Sequence, residues 1–212
     1  MFKRFFACII LFGYAILFIG CSCNPALIGS LPVTLHPQET QNWCWAASGQ
    51  MVMDYLGHNV SQCVQANNRF GRNDCCEIDL CPTPTEPPTY GALGCVGCVC
   101  GGWPEFDKYD FTFNKTTSAA LSWDQLRKQI SDEPNCKKKP FCFTWAWPGG
   151  GGHMMVAKGY VTLAGTNYVV VLDPWAPCVG DEYIITYDYY VASLGHHTHW
   201  DDYYDITYTG GE

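Results

Sequence analysis

Cys44 stands between two tryptophans in the run Gln38-Glu39-Thr40-Gln41-Asn42-Trp43-Cys44-Trp45-Ala46-Ala47. Downstream, Ala46, Ala47, Met51, Val52, Tyr55 and Leu56 fall on one face at steps of three and four. That spacing predicts a helix over 46–56, ended by Gly57. Cys44 then sits at its first turn, where unpaired N–H groups and the positive dipole end favour an anion. A thiol so placed ionises more readily, and the thiolate is the nucleophile. Attack on an amide carbonyl creates an oxyanion, which needs donors already aimed at it. The Cys44 backbone N–H is one donor, and a side-chain amide from the preceding loop, Gln38 or Gln41, is the other. The competing reading is a free cysteine packed among aromatics as a small hydrophobe.

Such a nucleophile requires a general base, and histidine suits that role near neutral pH. His153 follows four glycines, Gly149 to Gly152, and opens a predicted strand over 153–161. The glycines mark a hinge or a close backbone approach. His36 and His58 flank the Cys44 segment too closely in sequence to be preferred. The return strand, Tyr168 to Leu172, ends at Asp173-Pro174-Trp175, with a turn at Leu163-Ala164-Gly165-Thr166. A hairpin folded there carries Asp173 back beside His153, within a register error of about two residues. A carboxylate at that point sets the imidazole tautomer and supports the imidazolium. The plainer readings are a structural strand histidine and a turn-opening Asp-Pro.

Gln, five residues, then Cys-Trp at a helix start resembles the papain-like cysteine peptidases. The Trp-Cys-Trp-Ala-Ala form resembles two bacterial branches, the bacteriocin-leader-processing-like peptidases and the effector proteases of plant pathogens. The glycine-histidine strand followed by a strand ending in Asp-Pro is similar to the same branches. The resemblance implies Cys44 as nucleophile, His153 as base, Asp173 as orienting acid and Gln38, ahead of Gln41, in the oxyanion hole. Trp175 matches a tryptophan that shields the His–acid pair, and Asp173 replaces the asparagine of papain itself. The likeness covers residues 38–56, 121–160 and 168–175. It implies an α+β fold, a catalytic helix packed on an antiparallel sheet, acting without a cofactor.

Several elements must position these residues. Lys3 and Arg4 precede an apolar run, Phe5 to Gly20, that is short for a membrane span and suits a signal peptide over 1–20. The ending Phe18-Ile19-Gly20-Cys21 resembles a bacterial lipobox, implying cleavage before Cys21 and a lipid anchor on its sulfur; plain secretion is the alternative. Loss of 1–20 takes the net charge from −8 to −10 and leaves 192 residues, enough for one domain, 21–212. So acidic a chain has no basic footprint for nucleic acid. It is expected to be a monomer of the cell envelope acting on a peptide or protein.

Twelve cysteines follow Cys21, and setting Cys44 aside leaves eleven. In an exported chain they imply a disulfide framework, with Cys23 the candidate for the odd one left over. Zinc on Cys95, Cys98 and Cys100 is the competing reading. Residues 57–120 form a Cys-rich insertion, a surface stabiliser or a border of the substrate groove, in which Pro82 to Pro88 excludes helix and central strand. Ser122 and Gln125 predict a capping box opening a helix over 123–130. Lys137, Lys138 and Lys139 form a solvated turn. Two strand-like runs, 182–187 and 203–208, close the chain. His196, His197 and His199 between them form a polar connection or, alternatively, a metal site. The rival functions are another acyl-transfer enzyme on the same triad (amidase, deamidase or transglutaminase-like) and a non-catalytic binding lipoprotein.

Overall fold

The computed structural model describes residues 22–78, 81 and 96–211, with the backbone of 8–9 and 18–19. Apart from those two pairs, the expected signal segment lies outside the described residues, as do Cys21, the run Pro82–Pro88 and Cys95.

The described chain builds α1 (Cys44–Tyr55), α2 (Gln62–Phe70), α3 (Trp123–Ile130) and α4 (Tyr187–Val191). Its strands are β1 (Ile28–Ser30), β2 (Phe111–Lys115), β3 (Phe141–Ala146), β4 (Gly152–Leu163), β5 (Thr166–Asp173), β6 (Asp181–Thr186), β7 (Ala192–Ser193) and β8 (His197–Tyr208). They form one antiparallel sheet ordered β2-β8-β3-β4-β5-β6. β1 joins β4 beyond the end of β3, and β7 pairs with β8. The expected α+β class and antiparallel sheet hold.

Alternation along β3 sends Cys142 toward α1 and Phe141 and Phe143 toward α4. The Cys142 sulfur lies 3.4 Å from the Ser48 carbonyl, while the rings of Phe143 and Tyr190 lie 5.1 Å apart. Strand β3 is covered on both faces, which is why its sequence is almost wholly apolar. Helix α1 is buried from Trp45 through Met53, so it is an interior element rather than a surface one. Ser48 Oγ donates to the Met154 carbonyl at 3.1 Å, tying α1 to β4. Gly57 ends it with φ +88°, as expected. At α3 the capping box between Ser122 and Gln125 is present in both directions.

Three expectations are corrected. Residues 57–120 are not a loop held only by crosslinks, because they contain α2 and the edge strand β2. Gln65 of α2 donates to the Ala46 and Val60 carbonyls, so α2 is part of the wall around α1. The odd cysteine is Cys142, not Cys23: Cys23 bonds Cys136, whereas Cys142 is free and buried in the core. The last strand begins at His197, not Tyr203, and its polar start is buried by internal partners. His199 Nε2 lies 2.8 Å from Asp202 Oδ1, and Asp202 also accepts from Tyr190 Oη and the Leu121 N–H, both at 2.6 Å. His197 stacks on Trp145 at 3.8 Å, and its Nε2 meets the Tyr189 carbonyl. His197 and His199 are therefore structural partners within the sheet, while His196 lies exposed in the turn before β8, its Nδ1 2.8 Å from that of His197.

Candidate active site

Cys44 is the first residue of α1 and Trp43 its N-cap, with no side-chain cap bond. Asn42 enters the helix at φ +65°, a conformation that asparagine tolerates better than most residues. Both neighbouring tryptophans are buried and anchored by their indole N–H groups. Trp43 donates to the Cys98 carbonyl at 2.8 Å and Trp45 to the Cys100 carbonyl at 3.1 Å. The Cys75–Cys98 disulfide fixes that acceptor loop to the segment after α2. The described part of the insertion thus holds the helix start on either side of Cys44.

His153 is the second residue of β4. Gly152 before it lies against β3, where a Cβ would collide with the Trp145 carbonyl, so the strand can begin here only with glycine. The other glycines form a tight turn: Gly150 N–H donates to the Trp147 carbonyl and Trp147 N–H to that of Gly151. His153 Nε2 lies 2.6 Å from Asp173 Oδ1, and the imidazole is close enough to Cys44 for the two to shift each other's protonation. With Nε2 committed to the carboxylate, Nδ1 is the nitrogen left for the sulfur.

The His153–Asp173 pairing depends on a bulge. From the Leu163–Thr166 turn to Gly159–Val170 the hairpin runs in one register, then shifts by one residue at Lys158 so that Ala157 faces Val171. Without this extra residue Asp173 would stand opposite Val156 and project from the face away from His153. With it, Asp173 stands opposite Met155, two residues from His153 on the same face.

Asp173 Oδ1 also accepts from the Trp175 N–H at 2.9 Å, and Oδ2 from Tyr183 Oη at 2.9 Å. Sequence reasoning did not find Tyr183, whose place opposite Val171 depends on the β5–β6 register. Trp175, expected to shield the pair, contributes a backbone donor. The ring of Trp147 also lies parallel to that of His153, 6.4 Å away and inclined by 13°.

Burial opposes charge on all three groups, and their mutual interactions outweigh it. The hydrogen bond and charge of His153 hold Cys44 below the ordinary thiol value, with help from the Met154 backbone. Burial alone would lower His153, but Asp173 and Cys44 together raise it to about 10. Asp173 stays below the usual carboxylate range despite burial, because His153, Trp175 and Tyr183 all donate to it. The arrangement favours a thiolate–imidazolium pair at neutral pH.

Gln38 is buried, and its Nε2 donates one N–H to the Thr40 carbonyl at 2.9 Å, leaving a second N–H on the same nitrogen. Its backbone is tied to the segment after Asp173: Gln38 N–H donates to the Pro174 carbonyl at 3.0 Å and Cys178 N–H to the Gln38 carbonyl at 2.8 Å. Gln41 lies half-exposed in the turn before α1. His36 bonds Asp54 and His58 stacks on Tyr208 at 4.7 Å, so both are occupied away from the Cys44–His153 pair. The zinc reading fails, since Cys98 bonds Cys75 and Cys100 is disulfide-bonded too. Asp74, Cys75 and Cys98 cluster closely, but two of those sulfurs form that disulfide.

The model of the Peptidase C39-like family matches residues 30–195. The chain belongs to this family. Its membership supports a papain-like cysteine peptidase, and no curated protein matches the chain. The C39-like match takes in Gln38, Cys44, His153 and Asp173 together with the whole insertion, a wider span than the three blocks legible in sequence. It ends before β8, the strand that lies between β2 and β3.

Proposed function

We propose that the protein is an exported cysteine peptidase that hydrolyses peptide or related amide bonds, with Cys44 as nucleophile. One observation carries this reading: His153 Nε2 lies 2.6 Å from Asp173 Oδ1, and the free Cys44 that opens α1 is held below its ordinary thiol value by His153. The Cys44 thiolate attacks the carbonyl carbon, and the oxyanion rests on the Cys44 N–H and the second Gln38 N–H. His153 passes its proton to the leaving amine as the C–N bond breaks, leaving an acyl-thioester. Neutral His153 then takes a proton from water, whose oxygen attacks the thioester. Collapse releases the acid and restores thiolate and imidazolium. Asp173 keeps the ring in the tautomer that presents Nδ1 and supports its charge at both stages.

The disulfides among the described residues suit maturation in an oxidising compartment, and no helix among those residues is long and apolar enough to cross a membrane. Cleavage before Cys21, with a lipid on its sulfur, would hold the peptidase at the cell envelope. Mass spectrometry of the mature protein after a thiol-directed peptidyl inhibitor tests the whole reading. It should find the adduct on Cys44 and a lipid-bearing Cys21 at the N-terminus. An unmodified Cys44 in folded, reduced protein would instead indicate a binding module. A panel of peptide, isopeptide and cell-wall substrates separates hydrolysis of peptides from related acyl transfers.

A further inference from the structure

The loop bearing Gln38 has no regular structure between β1 and α1, yet Gln38 is buried and held from two sides. On one side Gln62 of α2 grips its neighbours, donating to the Pro37 carbonyl at 2.8 Å and accepting from the Glu39 N–H at 2.9 Å. On the other, the segment after Asp173 exchanges two backbone hydrogen bonds with Gln38 itself. A crosslink closes this second side. Cys81, from the insertion, bonds Cys178, and its N–H donates to the Glu39 carbonyl at 2.7 Å. The Cys178 sulfur lies 3.7 Å from that same carbonyl. Cys81 and Cys178 therefore bracket the residue next to Gln38.

The geometry points to the Cys81–Cys178 disulfide as a positioning element for the oxyanion hole, an assignment that rests on the peptidase reading above. Asp173 does not depend on this crosslink, because the β5–β6 register, the Trp175 N–H and Tyr183 hold it. Cys44 does not depend on it either, because Trp43 and Trp45 are anchored through Cys98 and Cys100. Gln38, in an irregular loop, is held by Gln62 through its neighbours, by the Thr40 carbonyl and by its two backbone bonds to the Pro174–Cys178 segment, the side that the crosslink closes. An amide donor contributes to the transition state only if it is held in place before the oxyanion forms. The enzyme then needs two opposite sulfur states at once: Cys44 as thiolate, and Cys81 and Cys178 joined.

Two reactions of the mature protein separate this role from general support. Alkylation of Cys44 by iodoacetamide needs the thiolate but forms no oxyanion, whereas peptide hydrolysis needs both. In the Cys81→Ser/Cys178→Ser variant, alkylation should keep its rate within about twofold while kcat falls about tenfold at little-changed KM. This is a fraction of the roughly hundredfold loss that follows removal of a whole oxyanion donor. In a Gln38→Ala background the same two serines should have almost no further effect on kcat, since residues acting through one group are non-additive. Unchanged kcat, a parallel fall in alkylation and kcat, or full additivity with Gln38→Ala would each overturn the assignment. A wild-type Cys44 inert to iodoacetamide would instead overturn the peptidase reading, and this role with it.

Discussion

At the scale of single residues, the site is a chain of proton-sharing groups, and its pH behaviour follows from the direction of each shift. Cys44 is lowered, so the ion pair forms below the ordinary thiol range; His153 is raised to about 10, so the pair persists until the imidazolium loses its proton. Activity should therefore rise on an acid limb set by Cys44 and fall on an alkaline limb near 10. Both limbs belong to the coupled pair rather than to either residue alone. A kcat/KM profile reports these groups in the free enzyme. Asp173→Asn removes one of the groups that raise His153. It should move the alkaline limb downward and cost at least about tenfold in kcat/KM at neutral pH; an unmoved limb would mean that Asp173 does not set the imidazolium. Tyr183→Phe takes a donor from the other carboxylate oxygen, leaving Asp173 more basic and a stronger partner for His153. The alkaline limb should then hold or move upward, with a loss of only a few-fold from poorer positioning. Cys44, His153 and Asp173 were legible because their chemistry is written in residue type and local context. Tyr183 and Trp147 were not: an ordinary tyrosine and tryptophan acquire these roles only through neighbours across the sheet.

At the scale of elements, what escaped sequence reading was register and cover, not pattern. The helix at Cys44 and the capping box at Ser122 follow local rules and appear as expected. The β4–β5 hairpin was also visible, but not the bulge at Lys158 that turns Asp173 to the correct face, because an extra residue leaves no trace in alternation once both faces are covered. Helix α2 is not legible from apolar spacing, because Gln62–Phe70 is mostly polar. Ser61 before it and Gly71 after it, the latter at φ +62°, were nevertheless serviceable boundary signals. The start of strand β8 is hidden for a similar reason, since His199 and Asp202 look like surface residues until each is seen to satisfy the other. Gly152 offers an element-level test. A methyl there meets the Trp145 carbonyl, so Gly152→Ala must push β4 away from β3 at the residue before His153. Gly149 sits in the same glycine run at an open position without positive φ, so Gly149→Ala should be nearly neutral. Circular dichroism should show both variants folded, while kcat drops about tenfold or more in Gly152→Ala only, as a displacement of about 1 Å would require. Equal activity in the two would show that the strand start does not set the position of His153.

At the scale of the whole molecule, the crosslinks divide between those that touch the chemistry and those that only hold the chain together. Cys75–Cys98 and Cys81–Cys178 fix the loops that carry the tryptophan acceptors and Gln38, whereas Cys23–Cys136 joins the start of the described domain to the turn after α3. The cysteine count announced a framework, but pairing is a property of the folded path, and the odd sulfur went to Cys142 because β3 carries it into the core. Cys23–Cys136 spans 113 residues, a loop for which the chain-entropy model gives about 4–5 kcal/mol of stabilisation, most of it through the unfolded state. The Cys23→Ser/Cys136→Ser variant should therefore unfold at clearly lower urea with an altered m value, because its denatured chain is freer to expand. Its kcat and its rate of Cys44 alkylation should match wild type under native conditions, since neither Cys44 nor His153 is held through that turn. Urea denaturation followed by fluorescence, with kinetics on the same preparation, checks both halves. A fall in kcat at undiminished folding would show that the N-terminal tether reaches the site after all, and the division between chemical and structural crosslinks would have to be redrawn.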